Sequence, residues 1–166
     1  MHRFDRRTPA RDSLDTVDVD GAAALRDAAG ILARAEADEA AADRARARYR
    51  RQAMAALVPD VHIAPLLTSD EQVLAVRRSA LLDRRQPHAG SDAPGGLAGD
   101  LYLTSRRLVL VGRLTLSFDL DEIEEALLSG ERLLLVLRGG QGASLAVAQP
   151  RLLRVEIAAA RASARG

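Results

Sequence analysis

The sequence predicts an α+β fold: a seven-stranded antiparallel barrel capped by a C-terminal helix and preceded by a long N-terminal helix or helix pair. Three observations predict it. Leu101 to Gly112 reads as two short apolar strands joined by a Thr-Ser-Arg-Arg turn. From about residue 65 onward, short alternating runs succeed one another, separated by turns that carry Gly and Ser. After the last of them, Pro150 opens a segment with a broad apolar face of helical period.

Taken in order, residues 1–19 are polar, charged and aperiodic, and a disordered tail is expected there. Asp18 or Asp20 can cap a following helix, since a carboxylate accepts the free N–H groups of a first turn. Residues 20–58 form the predicted helical segment, rich in Ala, Leu, Arg, Glu, Met and Gln and free of proline. Asp27, Glu36, Asp38 and Glu39 come first and Arg44, Arg46, Arg48, Arg50 and Arg51 follow, an order that complements the helix dipole. Leu25, Ala28, Ile31, Leu32 and Ala35 make one apolar stripe, and Met54, Leu57 and Val58 another. From Glu36 to Arg48 only alanine is apolar, which makes a bend and two helices the alternative to one. Pro59 marks the end.

The barrel domain is expected over residues 65–164. Gln72 to Leu82 reads as its first strand, entered through Ser69, Asp70 and Glu71. A loop of turn residues runs from Asp83 to Gly96. Strands then follow at Leu97–Thr104, Arg107–Val111, Leu114–Phe118, Ile123–Leu128, Arg132–Arg138 and Ala143–Ala148. In the helix opened by Pro150, Leu152, Leu153, Val155 and Ile157 supply the apolar face and Arg154, Arg161 and Arg165 point outward.

Composition narrows the function. Apolar residues make up 48% of the 166, yet only four are aromatic, so Leu, Val and Ile must build the core. The net charge of +1 leaves no global field to attract nucleic acid. All 24 basic residues are arginine, which removes the lysine that a phosphate-binding Walker loop or a Schiff base requires. This Arg- and Ala-rich usage resembles that of a high-GC bacterial genome. There is no cysteine, hence no disulfide and no thiolate chemistry. His2, His62 and His88 have no metal-ligand spacing, and no nucleophile elbow is present. Asp119, Asp121, Glu122, Glu124 and Glu125 lack calcium-loop spacing and read as a solvated turn. No cofactor and no catalytic activity are expected. Without an apolar leader after the N-terminus or a run of about 18 apolar residues, the expected location is the cytoplasm, with association to a membrane surface as a variant.

The order of seven antiparallel strands and one amphipathic helix resembles a pleckstrin-homology-like (PH-like) barrel. At residue level the chain is similar to bacterial PH-like and GRAM-like domains. Their second and third strands carry a pattern like Gly-x-Leu-x-Leu-Thr-x-x-Arg-Leu, here Gly99, Leu101, Leu103, Thr104, Arg107 and Leu108. Leu66 to Leu74 looks like the acidic entry to the family's first strand, and Phe118 to Ile123 like its fourth-to-fifth strand connection. The chain departs from many such domains in having no tryptophan in its last helix. In the hairpin, Leu101 and Leu103 should face the core with Leu108 and Leu110, while Thr104 and Ser105 bond the turn.

The resemblance implies a non-catalytic binding or adaptor module, with a protein as the expected partner. The first alternative is an anionic membrane surface. The family's lipid sites use basic residues on the first strand and in the loop after it, a region that here offers Arg77, Arg78, Arg84, Arg85 and His88. A second alternative is nucleic acid, contacted through Arg44, Arg46, Arg48, Arg50 and Arg51. Sparse aromatics argue against it, because single strands want stacking platforms.

Overall fold

The computed structural model describes residues 17–85 and 96–165, and the chain divides into two units, 1–36 and 37–166. Helix α1 runs from Val17 to Tyr49 as a single element. Of the tail expected over residues 1–19, those up to residue 16 lie outside the described residues. Asp18 and Asp20 fall inside α1 and not at its cap. Within 17–36, Ile31 and Leu32 are exposed.

The second unit holds the C-terminal part of α1 from Ala37, a 3-10 turn (Ala64–Leu66), seven strands and a terminal helix. The strands are β1 (Val73–Arg85), β2 (Leu97–Thr104), β3 (Arg107–Gly112), β4 (Thr115–Asp119), β5 (Ile123–Ser129), β6 (Arg132–Leu137) and β7 (Gly142–Ala146), and α2 spans Pro150–Ala164. All pair antiparallel in one seven-stranded sheet of order β4-β3-β2-β1-β7-β6-β5. One cluster of buried side chains draws on every strand: Leu82, Leu101, Leu108, Phe118, Ile123, Leu135 and Leu145 meet Leu153 and Ile157 of α2. Strands from opposite ends of the sheet can share one core only if the sheet curls on itself, which is the barrel. Among the described residues no helix is long and apolar enough to cross a membrane.

The helix was expected to reach about Leu57, and it stops at Tyr49. Residues 50–56 are good helix formers, so propensity does not end it. Instead Arg51 and Gln52 donate back to Arg48 (3.0 and 3.1 Å), and the chain then extends until the Leu57 N–H donates to Val73 O (2.7 Å). A tertiary β-bridge overrides local preference. Of the two expected alternatives, one long helix or a helix pair, the single helix forms, and its alanines serve as contacts. Ala42 and Ala45 are buried against Val155, where small side chains permit close approach.

The Leu101–Gly112 hairpin forms as its pattern demands. Leu101, Leu103, Leu108 and Leu110 are buried in the main core. Its other face is buried too, because Tyr102 and Val109 lie under Ile63 and Val73 in a second cluster. Thr104 Oγ1 accepts from the Arg106 and Arg107 N–H groups (3.1 and 2.9 Å), and Ser105 Oγ accepts from Gln72 N (3.1 Å). The first strand continues past Leu82 to Arg85, and residues 86–95 of the following loop lie outside the described residues.

Candidate functional site

Four positions of α1 at helical spacing (Asp38, Ala42, Ala45 and Tyr49) turn one face toward α2. The N-terminus of α2 lacks a cap of its own: Gln149 sits in the left-handed region (φ 57°) and makes no side-chain cap bond. Asp38 supplies it from another helix. Its Oδ2 accepts from Arg151 N (2.8 Å) and its Oδ1 from Leu152 N (3.0 Å), satisfying the first donors after Pro150. This bond pair and the alanine contacts hold the two helices side by side.

Where α1 ends, residues after it and residues of α2 line a groove of about 480 Å³. Tyr49, Ala53 and Met54 line it from the first side, and Val155, Ala159 and Ala162 from α2. Arg46, Arg50, Gln52 and Ser163 supply its polar groups. The lining is therefore apolar with a cationic rim. Arg46 donates to Glu39 (3.1 Å) and to Asp43, bonds that raise its pKa above the ordinary arginine value, the bond to Glu39 first among them. The Arg48 guanidinium lies 4.6 Å from the centre of the Tyr49 ring. Arg44, Arg50 and Arg51 are exposed and form no ion pair among the described residues. Arg50 is thus the uncompensated charge of the groove.

The first-strand candidates are placed differently. Arg77 is buried, donating through Nη2 to Glu156 of α2 (2.7 Å) and through Nη1 to Val76 O (3.1 Å). Arg78 emerges on the opposite side, just before a bulge at Ser79 (φ 57°) that shifts the β1–β2 register. It donates to Asp60 Oδ2 (2.9 Å), to Asp100 Oδ2 (2.5 Å) and to the Tyr102 hydroxyl (3.1 Å). Arg84 and Arg85 lie at the end of β1, opposite Ala143 and Gly142 of β7, and His88 lies outside the described residues. Hence Arg77 and Arg78, neighbours in sequence, share no surface, and neither joins the Arg44–Arg51 group at the groove.

Sequence reasoning missed the carboxylates around these arginines. Asp60 accepts from the Tyr102 hydroxyl (2.8 Å) and from the N–H groups of His62 and Ile63 (3.0 and 3.2 Å) as well as from Arg78. These bonds, that of Tyr102 foremost, hold its carboxyl far below the usual range. Tyr102, mostly desolvated and facing that carboxylate, is pushed up. The only sequence signal was turn chemistry: an Asp directly after Pro59 caps the next turn through its side chain. The α2 wall of the groove had no signal beyond helical periodicity.

No protein-family model matches the chain, and no curated protein matches it. Among solved structures it is similar to the Vps36 N-terminal PH domain, at 17% identity and a TM-score of 0.45 over 65% of this chain and 90% of that one. It is similar also to the C-terminal domain of an unknown protein from Leishmania infantum, at 16% identity and a TM-score of 0.42 over 62% of this chain and 90% of that one. Neither likeness carries a ligand or a partner across to this chain. By its own element order, a seven-stranded antiparallel sheet followed by one C-terminal helix, the chain has a PH-like α+β fold.

Proposed function

We propose that this chain is a non-catalytic binding or adaptor module that engages a protein partner at the groove between α1 and α2. The observation that carries this reading is the pairing of an apolar lining with the uncompensated Arg50 at the rim of a 480 Å³ concavity. That combination suits an apolar side chain flanked by a carboxylate, the usual make-up of a protein contact with a desolvated centre and a charged edge.

The two alternatives have less to stand on. With Arg77 buried on Glu156 and Arg78 engaged by Asp60 and Asp100, an anionic lipid site would rest on Arg84, Arg85 and His88. For nucleic acid, Arg46 and Arg48 are already engaged, which leaves Arg44, Arg50 and Arg51. Three phosphate contacts fall well short of the roughly 6–10 that give firm, salt-dependent binding.

A photo-crosslinking residue placed at Ala159, on the α2 wall, tests the reading in cells. A crosslinked protein band is expected, lost when Arg50 becomes Glu and absent when the crosslinker stands at Thr115 on β4. No protein captured at Ala159, together with co-sedimentation of the chain with anionic vesicles at low salt, would replace this reading by the lipid one.

A further inference from the structure

The segment Leu57–Leu66 displays several apolar side chains to solvent within ten residues. Val58 is 94% exposed and Val61 80%, with Leu57 and Leu66 partly exposed on either side. Floppiness does not explain it. Ile63 is fully buried beneath the segment, Leu57 N–H is bonded to Val73 O, and Asp60 is turned inward to Tyr102, Arg78 and two backbone N–H groups. The fold therefore spends a buried anchor and four bonds on Asp60 to hold two valines outward. That is a built protrusion.

The molecule also holds a concavity of matching character. The α1–α2 groove is apolar with an unpaired cation, Arg50, at its rim. The protrusion is flanked by Asp60 and Asp100, two carboxylates sharing the single guanidinium of Arg78, and so carries one net negative charge. Polarity and net charge are complementary. Proximity adds a symmetry argument. Met54 lines the groove and Leu57 begins the protrusion three residues later, within about 10 Å of extended chain. A protrusion and a groove so close together, with Val58 projecting away from its own chain, can be exchanged reciprocally across one two-fold axis, so that the contact closes on itself and forms twice.

We infer that the occupant of the groove is the Leu57–Leu66 protrusion of a second copy of this chain, in a reciprocal two-fold dimer. The inference rests on the groove being a protein-binding site, as proposed above, and names the partner. Arg50 of each copy faces the Asp60–Arg78–Asp100 cluster of the other, whose net charge is negative, and Val58 and Val61 enter between Tyr49, Met54 and Ala159.

Light scattering on the full chain across a concentration series is the first measurement. The wild-type protein should approach twice the monomer mass. The double variant Val58→Glu/Val61→Glu and the single variant Arg50→Glu, all at exposed positions, should each weaken dimerisation at least tenfold with helix and strand content unchanged. A monomer at every concentration, or a dimer indifferent to both variants, overturns the inference. The Ala159 crosslink separates that failure from failure of the broader reading: capture of a different protein leaves the groove a protein site with another partner, and capture of none removes both. Capture of the chain itself, lost in Val58→Glu/Val61→Glu, agrees with the dimer.

Discussion

Two buried glutamates of the second unit pair with arginine, and they behave in opposite ways. Glu71, at the entry to β1, accepts from Arg107 Nε (2.9 Å) and Nη2 (3.0 Å), from the Thr104 hydroxyl (2.7 Å) and from the Thr68 N–H (3.2 Å). Burial opposes its ionised form, yet these donors outweigh burial and bring its pKa to about 2. Glu156, on α2, takes one bond from Arg77 Nη2 (2.7 Å), and Arg77 Nε is buried with no partner. Here burial wins and the pKa rises above the ordinary glutamate value, against the pull of Arg77. Both carboxylates are buried and paired with arginine. Glu156 is the more deeply desolvated and has the fewer donors, so the balance of burial against hydrogen bonds, not the mere presence of an opposite charge, sets the direction of each shift.

The largest effect should come from breaking the poorer pair on one side. Glu156→Leu leaves the Arg77 guanidinium buried with a single carbonyl acceptor and should destabilise the fold by about 4 kcal/mol in urea denaturation. A loss below about 1 kcal/mol would mean that Arg77 reaches water, and the pair would not belong in the comparison. Next comes Glu71→Gln, which keeps the shape and discards the charge. Its cost at neutral pH should be about 3 kcal/mol, the free energy linked to the fall from 4.5 to about 2. The sign is set by a lowered pKa: the stabilisation is complete above 4.5 and drains away as pH falls toward about 2. The gap between wild type and Glu71→Gln should therefore close over that window. A gap that holds constant on acidification would place the effect in packing.

A smaller change probes the donor count directly. Thr104→Val removes one donor to Glu71 and, with it, the acceptor for the Arg106 and Arg107 N–H groups. The expected loss is about 2 kcal/mol at neutral pH. The Glu71 carboxyl should titrate at higher pH than in the wild type, followed by carbon-detected NMR. An unmoved titration would show that Arg107 alone holds the carboxylate down.

The same contrast explains what the sequence could reveal. The hairpin was legible because its information is local: alternation places Leu101, Leu103, Leu108 and Leu110 on one face, and Thr and Ser are the residues a tight turn needs. The arginine run from Arg44 to Arg51 was legible as charge, and two of its members, Arg46 and Arg50, line the groove. Three features had no local signal. Alternation separates Arg77 from Arg78 but cannot tell which points inward, since Glu156 lies 79 residues away. The cap on α2 comes from Asp38, 113 residues before Arg151 and one acid among several on α1. The end of α1 at Tyr49 depends on the bridge from Leu57 to Val73, which helix propensity opposes. Period and turn chemistry are written into neighbouring residues, whereas a partner across the fold is not.

The smallest effect is the sharpest test of the comparison. Replacing both members of the poorer pair, Arg77→Met with Glu156→Leu, fills similar volume with apolar groups and removes the unpartnered Nε. If Glu156 is a carboxylate held against its preference, the double variant should lie within about 1 kcal/mol of the wild type at neutral pH, or above it, despite the large loss in Glu156→Leu alone. The pH dependence gives an independent sign. A raised pKa means that the folded wild type binds its proton more readily than the unfolded chain, so acidification from neutrality toward 4.5 stabilises the wild type through Glu156 and leaves the double variant without that gain. The difference in unfolding free energy, wild type minus double variant, should grow as pH falls. Should the double variant instead lose several kcal/mol at neutral pH, the Arg77–Glu156 pair would be a net stabiliser with one hydrogen bond, and the balance of burial against hydrogen bonds would no longer separate the two pairs.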